Sequence, residues 1–197
     1  LKLLKHLSDT DALTGLSGRH NYNERAQSLY HATRLQGANF GVIVCDIDNF
    51  KLYNDTFGHG KGDVVIKKTA DVLLSSTRNN DLCFRIGGEE FVVLMKVYDA
   101  ENLFYAAERM RQGVEALAIP HVTERGIVTL SVGAVMLPPQ ARDWSYTDAF
   151  DYADKQLYAA KHGGRNQTVF EVVKTDQVPV LSLRAKKTLL NPHPNSP

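Results

Sequence analysis

The sequence predicts an α/β (α+β) domain, one central mixed sheet flanked by helices. Apolar runs of strand length interleave with longer segments of helical period, which favours a single sheet covered by helices. The pair Gly87-Gly88 separates two of those runs as a hairpin turn does. Of 197 residues, 43% are apolar and 23% charged, enough for a core that buries about 68–70% of the unfolded surface without disulfide or metal staples.

Leu1, Leu4 and Leu7 read as the last turns of a helix arriving from upstream, ended near Ser8 and Asp9. Arg19 to Gln36 has a helical period closed by Gly37. Phe40 to Cys45 is a near-continuous apolar run that stops at Asp46-Ile47-Asp48, the pattern of a strand buried on both faces whose end opens into a cleft. Gly62 to Asn79 repeats apolar residues as a helix lying on a sheet does. Leu82 to Ile86 and Glu89 to Val97 form the hairpin, whose Gly-Gly turn is expected to need positive φ angles. Asp99 caps a helix reaching Leu117; a strand over Ile127 to Leu137, a helix over Tyr146 to Lys161 and a strand over Gln167 to Val173 complete the pattern. The expected division is residues 1–8 for the connector, 9–173 for the domain and 174–197 for a proline-rich, loose tail. The start at Leu1 suggests a piece of a longer protein.

Composition excludes several functions. Lys and Arg total 23 against 22 Asp and Glu, so no broad basic surface is available to grip nucleic acid. Cys45 and Cys83 sit singly in apolar runs and read as buried, reduced thiols. No stretch has the roughly 18 apolar residues of a membrane span and no signal peptide opens the chain, so a cytoplasmic location is expected. The seven histidines lack the spacing of a transition-metal site.

The chemistry gathers at the ends of the predicted strands. Asp46 and Asp48 lie two apart and point to one side. Glu89 and Glu90 follow the Gly-Gly turn, and strand alternation lets only one of them join Asp46 on a shared ion; Glu89, nearer the turn, is the choice. Crowded carboxylates repel unless a hard cation neutralises them, and Mg²⁺ takes few carboxylates and fills its shell with water and phosphate oxygens. A nucleotide phosphate with its metal is the expected ligand. Lys51 can place a point charge on terminal phosphates, beside the turn amides of Asn49 and Phe50, although an exposed surface lysine is the default. Asn54 and Asp63 offer acceptors for the N1-H and N2-H₂ donors of guanine, which adenine lacks; equally, Asn54 can cap a turn and Asp63 the helix that begins there.

Asp46-x-Asp-x-Phe-Lys-x-x-Asn-Asp-x-x-Gly-His-x-x-Gly-Asp63, followed by Arg85-x-Gly-Gly-Glu-Glu-Phe91, resembles the diguanylate cyclase domain family, known as GGDEF or GGEEF. Asp11-Ala-Leu-Thr-Gly-Leu16, Thr129-x-Ser-x-Gly133 and Ala153-Asp-x-x-Leu-Tyr-x-Ala-Lys-x-x-Gly-Arg-Asn166 extend the likeness over residues 8 to about 171. The resemblance implies a mainly antiparallel sheet similar to the adenylyl cyclase core and polymerase palm, and condensation of two GTP into cyclic di-GMP with loss of two pyrophosphates. It implies Mg²⁺, or Mn²⁺, with two ions in each half-site, held by Asp46, Glu89 and the Ile47 carbonyl. Glu89 would take the 3′-hydroxyl proton, the signature acid Glu90 has a less defined part, and Asp48 would orient the site without touching metal. Asn54 and Asp63 would bind guanine with His59 nearby, and Lys51, Lys161 and Arg165 would face the triphosphate. Ring closure joins two GTP head to tail, so the family pairs two domains as a homodimer, here coupled through residues 1–8 to an upstream sensory domain. Arg78-Asn-Asn-Asp81 lies where the family's inhibitory RxxD motif lies, with Arg109 as a second arm for cyclic di-GMP; a weak surface ion pair at a helix end is the alternative. A catalytically silent cyclic di-GMP sensor and a relative joining GTP to ATP are the rivals. The full set of signature acids stands against the first, and Asp63 against the second.

Overall fold

The computed structural model describes residues 10–176 and Pro179; the connector helix expected over 1–8, and the tail beyond 176 apart from Pro179, lie outside the described residues. In chain order the elements are α1 (Tyr22–Leu35), β1 (Asn39–Ile47), α2 (Phe50–Phe57), α3 (His59–Ser75), β2 (Leu82–Arg85), β3 (Glu90–Val97), α4 (Ala100–Ala116), β4 (Leu130–Leu137), α5 (Tyr146–His162) and β5 (Thr168–Val172).

The sheet runs β2-β3-β1-β4-β5. Its first three ladders are antiparallel, and β4 pairs with β5 in parallel. A parallel pair needs a crossover, and α5 supplies it. The sheet is mixed and mainly antiparallel, as expected. Both faces are covered, which is why β1 reads as an unbroken apolar run. Ile43, Cys45 and Ile47 pack with residues of α2, α3 and α4 on one face, while Phe40, Val42 and Val44 pack with α1 and α5 on the other. A Cβ on Gly133 would lie 2.2 Å from the Leu157 amide nitrogen and 2.3 Å from the Ala153 carbonyl oxygen. Only glycine lets α5 lie this close to β4. Because β4 starts at the site end of the sheet and α5 runs back along it, the last turn of α5 returns to that end. Among the described residues no helix is long and apolar enough to cross a membrane.

Two expectations need correction. The helix expected over Gly62 to Asn79 begins earlier, at His59, and ends at Ser75, and the stretch before it, where no helix is expected, holds α2 over Phe50–Phe57. Phe50 and Tyr53 are buried one turn apart, but Asn54-Asp55-Thr56 and the glycines at 58, 60 and 62 obscure the period. Gly58, at φ 86°, makes the corner between the two helices. The Gly87-Gly88 turn does not use positive φ, since neither glycine is among the residues that adopt it.

Candidate active site

The site lies where β1 ends, β3 and β4 begin, and α2 departs. In the sheet register Asp46 faces Glu90 on one side and Ser131 on the other. Residues opposite one another in an antiparallel ladder share a face, so Asp46 and Glu90 project toward α5. Glu89 precedes the first residue of β3, so strict alternation does not apply to its side chain. Its carbonyl still accepts the Ile47 amide at 3.2 Å, which ties the turn to the end of β1.

The electrostatics are those of crowded acids. Burial, opposed by Lys161 and reinforced by the charges of Glu89 and then Glu90, pushes the Asp46 carboxyl up to about 6. Burial also raises Glu90, with Asp154 and Glu89 adding and Lys161 opposing. Thus both neighbours act on Asp46, although the register pairs it with Glu90, and Glu89 acts the more strongly. The Lys161 ammonium lies 3.1 Å from Asp46 Oδ2. Lys161, expected against a triphosphate, here supplies the cation beside the acid assigned to metal. Among the described residues no three His, Cys, Asp or Glu side chains form a closed metal cage. Mg²⁺ does not need such a cage, since it takes one or two carboxylates and completes its shell with phosphate oxygen and water.

Asn49 starts α2 from the left-handed region, at φ 52° and ψ 35°, and its side chain makes no cap bond. The first amides of α2 therefore have neither an intrahelical carbonyl nor that side chain as acceptor. Lys51 is exposed on this first turn and His59 on the first turn of α3. Asp63, also exposed, lies inside α3 and does not cap it; the cap position belongs to Gly58. Asn54 likewise lies inside α2. Its Oδ1 is buried without a hydrogen-bond partner, and a Cβ on Gly62 would lie 1.8 Å from it. Gly62 thus makes room for Asn54 beside Asp63. The expected guanine acceptor is turned inward, and a half-turn of the amide would exchange it with the nitrogen. Arg165 lines a cavity of about 270 Å³ together with Asp48, Asn49, His121 and Thr129.

Further residues fix this geometry. Asp48 is 3% exposed, and its carboxylate accepts Thr129 Oγ1 at 2.8 Å, Ser131 Oγ at 2.6 Å and the Asn166 amide at 3.1 Å. These bonds tie the end of β1 to the start of β4 and to the loop carrying Arg165. Asp11 and Arg85 carry no role that the local sequence reveals. Arg85 Nη1 donates to Asp11 at 3.1 Å, while its Nε and Nη2 donate to the Gly87 and Gly88 carbonyls. The pair clamps the turn that carries Glu89. Both residues stood in blocks shared with the family, but no local pattern showed that they would meet.

At the far end of β3, Arg78 and Asp81 lie in a loop beyond α3 and not on a helix end as expected. The Arg78 amide donates to Asp81 Oδ2 at 2.8 Å. Burial raises the Asp81 carboxyl, with Arg78 and then Arg109 opposing. Arg78, Asp81 and Arg109 line one cavity of about 160 Å³ with Tyr98 and Tyr105. The structure thus brings together the three residues singled out for the inhibitory site.

The family model "Diguanylate cyclase, GGDEF domain" matches residues 8–167. The chain is 38% identical over 171 residues to the probable diguanylate cyclase DgcT of Escherichia coli (strain K12), covering 86% of this chain and 37% of that protein. It is 37% identical over 158 residues to the diguanylate cyclase DgcS of Shewanella oneidensis, covering 79% and 50% respectively. The chain therefore spans about half, or less, of these curated relatives. Among solved structures, the coiled coil and GGDEF domain of DgcB from Caulobacter crescentus in complex with c-di-GMP superposes with a TM-score of 0.78 at 28% identity, over 86% of this chain and 89% of that one. The active GGEEF domain of a diguanylate cyclase from Vibrio cholerae gives a TM-score of 0.68 at 31% identity, over 79% and 96%.

Proposed function

The chain belongs to the diguanylate cyclase GGDEF-domain family, and from that premise we propose that it condenses two GTP into cyclic di-GMP, releasing two pyrophosphates, at a Mg²⁺-dependent site completed by a second copy of the domain. The observation that carries this reading is the convergence of Asp46, Glu89 and Glu90 beside the first turn of α2, with a lysine ammonium already paired to Asp46.

Asp46 and Glu89, with the Ile47 carbonyl, would hold the metal. When bound, Mg²⁺ or Mn²⁺ polarises the α-phosphate, lowers the pKa of the attacking 3′-hydroxyl and neutralises the leaving pyrophosphate. The protein's own part is positional and electrostatic. Asp63 and Asn54 orient guanine, while Lys51, Lys161, Arg165 and the Asn49 and Phe50 amides take phosphate charge. Glu89 accepts the 3′-hydroxyl proton as that oxygen bonds to the α-phosphorus and the bond to pyrophosphate breaks. His59 lies close to the nucleotide. One domain presents one GTP, so ring closure requires a partner domain presenting the second, turned head to tail. The cavity at Arg78, Asp81 and Arg109 is a candidate inhibitory site for the product. There the arginines would face guanine O6 and N7, and Asp81 would accept from N1 and N2.

The test is incubation of the concentrated chain with GTP and Mg²⁺, products resolved by chromatography and association state measured in parallel. Cyclic di-GMP and pyrophosphate in a 1:2 ratio are expected. A sample shown to be dimeric that yields neither would point to the silent sensor.

A further inference from the structure

His121 lies in the loop between α4 and β4 and is 7% exposed, in an environment that fixes both ring nitrogens. Its Nδ1 lies 2.9 Å from the Val122 amide, which can only donate, so Nδ1 is the acceptor. Its Nε2 lies 3.1 Å from the Asn49 carbonyl, which can only accept, so Nε2 carries the proton. The ring is therefore neutral and of one tautomer. Tyr53 and Phe57 of α2 meet it edge-on, at centroid distances of 5.2 and 6.4 Å. The loop behind it is braced as well, because the His121 amide donates to the Gly126 carbonyl at 2.9 Å and the Val128 amide to the Ile119 carbonyl at 2.8 Å.

The residue it grips is under strain. Asn49 is one of four non-glycine residues with positive φ among those described, and its conformation sets the direction in which α2 starts. Its carbonyl already accepts the first bond of α2, from the Tyr53 amide at 3.1 Å. The His121 proton uses the second lone pair of that oxygen. Both bonds together restrain the peptide plane that contains the Phe50 amide and precedes the Lys51 amide.

We propose that His121 is a positioning residue for nucleotide phosphates: as the neutral Nε2-H tautomer it locks the Asn49 carbonyl and so aims the first turn of α2. This rests on the reading that this turn faces phosphate. A ring that merely filled space would be replaced as well by leucine as by glutamine, whereas this one acts through a donated bond at the first turn of α2, ahead of Asn54.

The experiment is calorimetric titration of the 197-residue chain and its variants with 3′-deoxy-GTP and Mg²⁺, which cannot cyclise, and with guanosine, which has no phosphates. His121→Leu keeps apolar packing but leaves the carbonyl without its donor. It should weaken 3′-deoxy-GTP about tenfold and change guanosine less than about twofold. His121→Gln, whose amide can donate to the same carbonyl, should recover to within about threefold of the parent. Unchanged 3′-deoxy-GTP binding by His121→Leu, or equal weakening of both ligands, would overturn the proposal. Lys51→Ala separates the two levels. If it weakens 3′-deoxy-GTP while His121→Leu does not, the proposal for His121 fails and the phosphate reading stands. If both variants bind normally, the phosphate reading falls and takes the proposal with it. Nitrogen-15 spectra of the parent chain need no variant: they should show Nδ1 unprotonated and Nε2 protonated, and the opposite tautomer or an imidazolium would contradict the proposal.

Discussion

The two ends of β3 make a useful contrast. At its start, Glu90 lies across from Asp46 with Glu89 in the adjoining turn; at its end, Val97 borders the cavity of Arg78, Asp81 and Arg109. Eight residues of strand separate them by about 24 Å. At the acidic end the sheet itself sets the spacing of the carboxylates. At the basic end a loop bond from the Arg78 amide to Asp81 and a donation from Arg109 Nη2 to the Ser76 carbonyl do that work. A ligand at the second end cannot collide with one at the first within a single domain. Under the proposed function, inhibition from there would have to act through the strand or through how two domains pair.

The contrast can be broken at either end. The largest effect is expected at the acids: Glu89→Gln should lower turnover about 10²–10⁴-fold while leaving the melting temperature near that of the parent. Rates of pyrophosphate release and a thermal melt check this. Next, Asp63→Ala should raise the KM for GTP about 10–100-fold and erode discrimination against ATP, read from initial rates with each nucleotide. At the other end, Arg78→Ala should raise the inhibition constant for cyclic di-GMP about tenfold or more. If Glu89→Gln instead abolishes binding of cyclic di-GMP and Arg78→Ala leaves it unchanged, the two ends are not separate sites.

The smallest effect concerns pH. Asp46 has a folded pKa of about 6 against an ordinary value of 3.8, a balance that already includes attraction to Lys161. A raised carboxyl pKa means that the folded form holds a proton that the unfolded chain has lost between those values. The folded state is thus relieved as pH falls through 6, and above 6 the ionised acid weakens it. Asp46→Asn should be more stable than the parent at pH 7–8, by about 1–3 kcal/mol, and the gap should close toward pH 4. Denaturant melts of both proteins across that range measure it. A gap that widened on acidification would show that Asp46 is stabilised as the anion.

Much of this was legible in residue order alone. β1 announces itself because both faces are buried, and Asp99 because its side chain accepts the Asn102 amide where a helix must start. Alternation along a regular strand allows only one of Glu89 and Glu90 beside Asp46, and nearness to the turn points to Glu89; but Glu89 precedes the strand, and the register gives Glu90 the place opposite Asp46. The clamp of Asp11 on Arg85 was illegible because 74 residues separate the partners and each looks like an ordinary surface charge. Helix α2 hid behind its polar middle, and with it the reason Gly62 is glycine: nothing in the local sequence says that Asn54 needs the space. His121 gave no signal, since a lone histidine has no partner until the fold brings Asn49 to it.

The most direct measurement is a crystal structure with 3′-deoxy-GTP and Mn²⁺, using the anomalous signal of manganese. A peak bridging the Asp46 and Glu89 carboxylates and the nucleotide phosphates, with Lys161 moved off Asp46, is the predicted result. Nucleotide in place with manganese elsewhere, or with those carboxylates turned away from it, would contradict the assignment of the acidic end as the catalytic centre.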